Sequence, residues 1–359
     1  MTRLVVPEDI RDARLPPAAL YADPAWQADL RDRVLARSWH LLADPLPPPG
    51  HARADTLLPG VLDEPILLTH PSDGPPRALS NACTHRGHLL LDPGPARPLR
   101  QLRCGYHGRR FDLGGACAAS PGFAADALVD AALPTLGLGE AMGLAFAAVA
   151  PAQPFAAWWA QVEAAVGSID GGALDPAGSV DHTIPVHWAL YVENYLEGLH
   201  IPFVHPALAG AVDLAAYQTE LVPGGVLQLG FAPGGGPGGV RLADGRDVAA
   251  AWLWLFPGTM VNVYPWGVSV NGVLPAGPSA TVVRYRTIVT RPELRGEGAG
   301  ADLGQVERED QEAVQRVAAG QRARAWRPGR YAPEHERGVH HFHRMLAAAC
   351  AADEGHTAR

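Results

Sequence analysis

The 359-residue sequence predicts an α+β protein of two domains, a strand-rich one followed by a mixed one. Three observations carry that expectation. From Pro45 to about Pro151 the chain reads as short strands cut by Gly, Pro and Asp, as in Val61-Leu62 to Leu68-Thr69 and Leu102 to Leu113. Beyond it, helical patterns at Phe155–Val166, Val186–His200 and Leu303–Arg324 enclose Ala249–Pro275, which reads as two strands around Pro265-Trp266-Gly267. The length itself gives room for two cores.

The flanking elements follow the same logic. Pro24–Trp39 places Trp26, Leu30, Val34 and Leu35 at helical spacing, and the proline-rich Pro45–Gly50 stops that pattern. Pro233–Gly239 is glycine-rich but no helix signature follows it, so it reads as a hairpin loop rather than a phosphate cradle. No internal repeat occurs. His340, His341 and His343 have the spacing of a final helix packed on the core rather than of a further metal site.

Composition excludes several functions. Hydrophobic residues make up 47% and charged residues 18%, as in globular proteins. A net charge of −8 argues against a nucleic-acid surface and leaves room for docking a basic partner. The N-terminus has no long apolar stretch, and no run of about 18 apolar residues occurs, so neither a signal peptide nor a membrane span is expected and the reading is cytoplasmic. Four cysteines are too few for a disulfide scaffold at this length; cysteine as a metal ligand fits better.

Two short pairs, Cys83-Thr84-His85 and Cys104-Gly105-Tyr106-His107, form the first dense constellation. Thiolates favour iron–sulfur or zinc, and imidazole suits iron as well. A zinc site usually leaves two to four residues between paired ligands, whereas one residue separates Cys83 from His85. A Rieske centre holds one iron by two cysteines and the other by two histidines, which the two pairs supply.

The stretches Cys-Thr-His-Arg-Gly-His (83–88) and Cys-Gly-Tyr-His-Gly-Arg-Arg-Phe-Asp-Leu-Gly-Gly (104–115) resemble the cluster loops of Rieske-type ring-hydroxylating oxygenases, large (alpha) subunits that carry non-heme iron. His88 and Tyr106 stand near the places where respiratory Rieske proteins carry a disulfide, so the resemblance is to the ferredoxin and oxygenase branch. Gly105 stands where proline is common and should loosen its loop. Arg109 stands where tryptophan is common, and is expected to change the surface beside the cluster and with it the docking partner.

The second constellation is Glu193-Asn-Tyr-Leu-Glu-Gly-Leu-His-Ile-Pro-Phe-Val-His-Pro206. Glu197 and His200 lie at i, i+3, one face of the expected helix. His205 follows five residues later, and Pro202 is expected to break the helix so that both imidazoles reach one ion. Pro206 biases His205 towards extended backbone. Two histidines and a carboxylate leave open positions on an iron. A di-iron site would need a second Glu-x-x-His, and the only loose match is Asp353 to His356.

The resemblance covers nearly the whole chain and implies the rest. It implies a segment 1–38 packed on the catalytic domain, an all-β Rieske domain over 39–150, and a catalytic domain over 151–359 built on a curved antiparallel sheet with helices, of helix-grip (START-like) type. It implies a [2Fe-2S] cluster on Cys83, His85, Cys104 and His107. It implies mononuclear Fe(II) on His200, His205 and a late carboxylate, with Asp310 chosen over Glu309. Glu197 matches the acid, usually aspartate, that links the iron site to His107 of a neighbouring subunit, and His187 stands where asparagine is frequent. The implied enzyme is a cytoplasmic terminal oxygenase, a homotrimer, that uses O2 to hydroxylate, dihydroxylate or demethylate a small aromatic or quaternary ammonium substrate. No NAD or flavin glycine fingerprint occurs, so a separate NAD(P)H-dependent flavin/iron–sulfur reductase, with or without a ferredoxin, is expected. Glu193–Glu197 and Trp252–Asn271 resemble the choline, carnitine and betaine side of the family, where Trp252, Trp254, Tyr264 and Trp266 offer a cage for a cation. The alternative is a Rieske electron carrier with a non-catalytic second domain.

Overall fold

The computed structural model describes residues 4–169 and 172–351; the Asp353–His356 match lies outside the described residues. The chain divides into two compact units, Ala36–Ala156 and Met1–Leu35 with Ala157–Arg359.

Within Ala36–Ala156 a seven-stranded antiparallel sheet runs in the order His40–Leu41, Leu144–Ala148, Thr135–Ala141, Arg77–Ser80, Glu64–His70, His51–Leu57 and Arg97–Pro98. A second, three-stranded sheet is built from Leu102–Arg103, Arg110–Phe111 and Cys117–Ala119. Leu67, Leu79, Leu102, Phe111 and Leu133 form the core between them, and Cys83 and Cys104 belong to that core. The first pair of metal-type residues follows Arg77–Ser80; the second sits at the tip of the hairpin between Leu102–Arg103 and Arg110–Phe111.

The other unit is built on an eight-stranded antiparallel sheet. Its path is Ala173–Asp175, Ala280–Val289, Gly267–Gly277, Thr259–Tyr264, Ala250–Leu255, Gly225–Gly230 and Gln218–Val222, with Asp181–Ile184 also paired to Ala280–Val289. Ala249–Pro275 therefore holds three strands rather than the expected two. The extra turn at residues 256–258 was masked because the strands flanking it are buried throughout, so the apolar run is almost continuous. The glycine-rich segment 233–239 leads into a small hairpin, Val240–Arg241 with Asp247–Val248.

Helices cover this sheet. Pro24 opens the N-terminal one, where the Asp23 side chain accepts from Ala25 N–H, and Trp26, Leu30 and Val34 are buried. Tyr21 and Gln27 in this segment bond to Glu193 and His187. The final helix, Arg337–Ala351, buries His340 and His343 as structural groups: His340 Nε2 lies 2.8 Å from Pro7 O, and His343 Nδ1 lies 2.7 Å from the Tyr331 hydroxyl. Among the described residues no helix is long and apolar enough to cross a membrane.

Candidate metal centres

The two cysteine loops fold into the same turn. Cys83 N–H donates to His88 O at 3.0 Å and Gly87 N–H to Cys83 O at 2.8 Å. Cys104 N–H donates to Arg109 O at 2.8 Å and Gly108 N–H to Cys104 O at 3.0 Å. Each glycine stands four residues after its cysteine at positive φ, +71° and +75°, where a side chain would be strained. That repeated Cys-x-x-x-Gly was a signal in the sequence that the ligand spacing alone did not use.

The turns leave both thiols buried and place the His85 and His107 rings 4.7 Å apart at 60°. His85 Nδ1 is buried without a hydrogen-bond partner, an orphan of the kind that a metal bond satisfies. Burial pushes the Cys83 thiol up. Burial also opposes ionisation of Cys104, but backbone N–H groups of His107 and Tyr106 aimed at it, with the Arg109 charge, hold it below its ordinary value. The donors of Cys83, His85, Cys104 and His107 do not converge on one point as a single tetrahedral ion requires; among the described residues only one other group does so. Two cysteines and two histidines at that wider spacing fit a two-iron cluster.

Arg109 departs from its expected place. It is buried, not part of the surface, and its guanidinium donates to Ser120 Oγ at 3.1 Å and to Thr84 Oγ1 at 3.0 Å. Arginine here fills an interior position that the sequence pattern, read as surface, could not reveal.

The group that does converge is His200, His205 and Asp310, with one donor atom from each within 4.8 Å of the others. The local fold differs from the expected helix. The helix Trp188–Tyr195 ends before Glu197, and Glu197 is the reason. Its Oε2 accepts from the backbone N–H of Leu199 and, at 3.2 Å, of His200, which caps the next turn and competes with helix continuation. Its Oε1 lies 2.6 Å from His200 Nδ1. Glu197 and His200 are thus joined by a capping turn and not by a helical face. Gly198 is required there because a Cβ would stand 2.8 Å from the Tyr217 ring. Pro202 lies in the first turn of the short helix Ile201–Val204 instead of breaking one, and His205, at φ −120° and ψ 72°, is neither helical nor extended, short of the extended backbone that Pro206 is expected to favour.

Asp310 and Glu309 come from the helix Leu303–Gln321, started by Asp302, whose side chain accepts from Gln305 N–H. Neighbours on a helix point about 100° apart. They therefore reach opposite sides of the His205 ring: Glu309 Oε2 lies 2.7 Å from Nδ1 and Asp310 Oδ1 lies 2.9 Å from Nε2. Asp310 Oδ1 is also 3.6 Å from His200 Nε2. Each imidazole thus has Nδ1 on a glutamate, and each turns Nε2 towards the same aspartate oxygen. With Nδ1 donating to glutamate, a neutral ring presents a lone pair to a carboxylate, and a cation between them resolves the conflict. Burial disfavours charge on His205, yet the two carboxylates outweigh it and raise its pKa.

Sequence reasoning missed several neighbours. Asn194 Nδ2 donates to Asp310 Oδ1 at 2.6 Å, and nothing in its local pattern distinguishes it from a surface residue. Glu307 is a carboxyl pushed up to about 8 by burial and then by the Asp310 charge. It lines a cavity of 290 Å³ with His182, Trp266, Tyr285 and Thr287. On the sheet, Trp252, Tyr264 and Trp266 cluster with Tyr195 and Tyr217. Trp254 does not join them; its ring packs on Phe256 and Phe342.

Residues 52–136 match the family model described as Rieske [2Fe-2S] domain, and residues 233–352 match the one described as ring hydroxylating alpha subunit (catalytic domain). The carnitine monooxygenase oxygenase subunit of Escherichia coli (strain K12) is 28% identical over 379 residues, covering 96% of each chain. The chloroplastic choline monooxygenase of Arabidopsis thaliana is 26% identical over 368 residues, covering 93% of this chain and 82% of its own. Among solved structures, the quaternary ammonium Rieske monooxygenase CntA in complex with L-carnitine superposes with a TM-score of 0.73 at 22% identity, over 97% of this chain and 99% of that one. Naphthalene 1,2-dioxygenase from Rhodococcus sp. gives 0.70 at 18% identity, over 94% of both. At these identities the structures establish a shared fold.

Proposed function

The chain belongs to the Rieske oxygenases, a [2Fe-2S] domain joined to the catalytic domain of a ring-hydroxylating alpha subunit, and from that premise we propose that it is the terminal component of a monooxygenase for a small quaternary ammonium compound. The carrying observation is the convergence of His200, His205 and Asp310, with both Nε2 atoms turned to one carboxylate oxygen.

In this reading Cys83, His85, Cys104 and His107 hold the cluster, and His200, His205 and Asp310 hold the iron. When bound, the two groups supply electron storage and dioxygen activation. The protein's own contribution is orientation. Glu197 and Glu309 each accept a hydrogen bond from Nδ1–H of one imidazole, which fixes the tautomer and frees Nε2 for the metal. Asn194 Nδ2 donates to Asp310 Oδ1, the same oxygen that both Nε2 atoms face, and so fixes where that oxygen sits. Glu197 has the further role of linking the iron site to His107 of a neighbouring subunit in a homotrimer. A separate NAD(P)H-dependent reductase, with or without a ferredoxin, supplies electrons.

Substrate class is favoured by two things. The relatives quoted by name oxidise carnitine and choline. The core cluster in which Tyr217 stacks on Trp252 and Tyr264 on Trp266 gathers four rings of the type that attracts a methylammonium group. The test measures oxygen uptake with a surrogate reductase across methylammonium compounds and aromatic acids. Uptake coupled to a methylammonium compound is expected. Coupling to aromatic acids alone would move the assignment to ring hydroxylation, and no substrate-coupled uptake in protein carrying both metals would leave an electron carrier.

A further inference from the structure

The charge of Arg109 is buried against the first centre, and its neighbours account for its hydrogen bonds but not its charge. The residue is 4% exposed. Its backbone carbonyl accepts from Cys104 N–H at 2.8 Å, in the second loop. Its side chain crosses to the first loop, where Nη1 donates to Thr84 Oγ1, between Cys83 and His85. Thr84 in turn donates to Ala131 O at 2.7 Å, so its hydroxyl is committed as an acceptor towards Arg109. Nε donates to Ser120 Oγ, and the guanidinium lies 4.9 Å from the centroid of Phe123, whose ring packs edge-on to His85 at 5.1 Å. No carboxylate lies within ion-pair reach of it among the described residues.

A buried cation without an anion is costly, and the natural counter-charge here is the cluster in its reduced form. A centre of two ferric ions, two sulfides, two thiolates and two neutral imidazoles is uncharged when oxidised and carries one negative charge when reduced. A fixed positive charge in low dielectric therefore favours the reduced form. We infer that Arg109 sets the reduction potential of the cluster, raising it so that the cluster draws one electron from its external donor more readily. This rests on the cluster ligands proposed above, which the iron, sulfide and visible spectrum of the unaltered protein test separately.

Spectroelectrochemical titration of the holoenzyme at fixed pH and salt, with iron and sulfide measured on each sample, compares Arg109→Gln, Arg109→Trp and Arg109→Lys with the parent. Tryptophan is common at this position in the family, so that variant has a precedent for folding. The two neutral variants are expected to lower the cluster's reduction equilibrium constant about tenfold or more, the usual effect of one neighbouring opposite charge, or about 59 mV for one electron. Arg109→Lys should stay close to the parent, since it keeps the charge and loses only the fork. Fully loaded neutral variants at the parent potential would overturn the inference, as would a lysine variant shifted as far as the glutamine one. Loss of the cluster from both neutral variants, or from all three, would mark Arg109 as a requirement for assembling the loops rather than for setting the potential, and would refute the inference.

Discussion

His187 is held in the neutral form by two contacts that use both ring nitrogens. Its Nδ1 accepts from Ala189 N–H at 3.2 Å as the cap of the helix Trp188–Tyr195, and its Nε2 faces Gln27 Oε1 at 3.1 Å. Protonation at Nδ1 would set one N–H against another. Burial alone lowers the ring's pKa to about 3. The folded value therefore lies below the roughly 6.5 expected of an unfolded histidine. Below pH ~6.5 the unfolded chain takes up a proton that the folded chain refuses, so this contribution is complete above that pH and falls away as pH drops towards 3. At pH 5 the loss is about 2 kcal/mol, from ~1.5 pH units at ~1.36 kcal/mol each. Asparagine, itself a good N-cap, keeps a side-chain acceptor for Ala189 N–H and has no proton to gain. Urea unfolding followed by tryptophan fluorescence at pH 7 and pH 5 reads the effect, since every tryptophan but Trp39 lies in the unit containing His187. The parent should lose about 2 kcal/mol more than His187→Asn between the two pH values. Equal losses would show that the ring is not buried neutral and refute the reasoning.

Three further outcomes follow from the iron site. Asp310→Ala should abolish binding of the mononuclear iron while the cluster spectrum persists; Glu309→Gln should retain the site with metal affinity weakened roughly 10–100-fold, as for other residues that orient a ligand. The reverse ranking, read by iron content, would exchange the roles of the two carboxylates. Glu197→Gln should keep both metals and a reducible cluster but slow electron delivery to the iron; mixed oligomers with Cys104→Ser subunits should recover part of the single-turnover rate, and a full rate in Glu197→Gln alone would refute the bridge. Gly198→Ala should cost about 1–3 kcal/mol in thermal stability, because its Cβ meets the Tyr217 ring; an unchanged melting temperature would mean that the ring moves freely.

The centres were legible to different depths. The residues proposed to hold the cluster sit in two short motifs, so local spacing alone was enough to single them out. Asp310 lies 105 residues beyond His205, and only the family resemblance pointed to it. Local pattern failed at the end of the helix Trp188–Tyr195, because Leu196 and Glu197 continue a helical pattern and what stops it is a hydrogen bond made by the Glu197 side chain itself. Strand count failed over Ala249–Pro275 for a related reason, since strands buried on both faces lose the alternation that separates them. Arg109 and Glu307 look like surface charges in one dimension; burial belongs to the tertiary fold.

The chain begins one unit, leaves to build Ala36–Ala156, and returns to finish the first. The inserted unit's entry and exit are stitched together: Ala150 N–H donates to Ala36 O and Ala152 N–H to Arg37 O, both at 2.9 Å. Such a cassette, with its ends side by side, is the kind of unit that a genome can move or replace with little damage to its host. The host has the opposite difficulty during synthesis. Gln27 waits for His187, 160 residues downstream, and Tyr21 waits for Glu193. At bacterial-to-eukaryotic elongation rates that interval is on the order of ten to thirty seconds, long enough for the cassette to fold first while the opening helix remains without its partners.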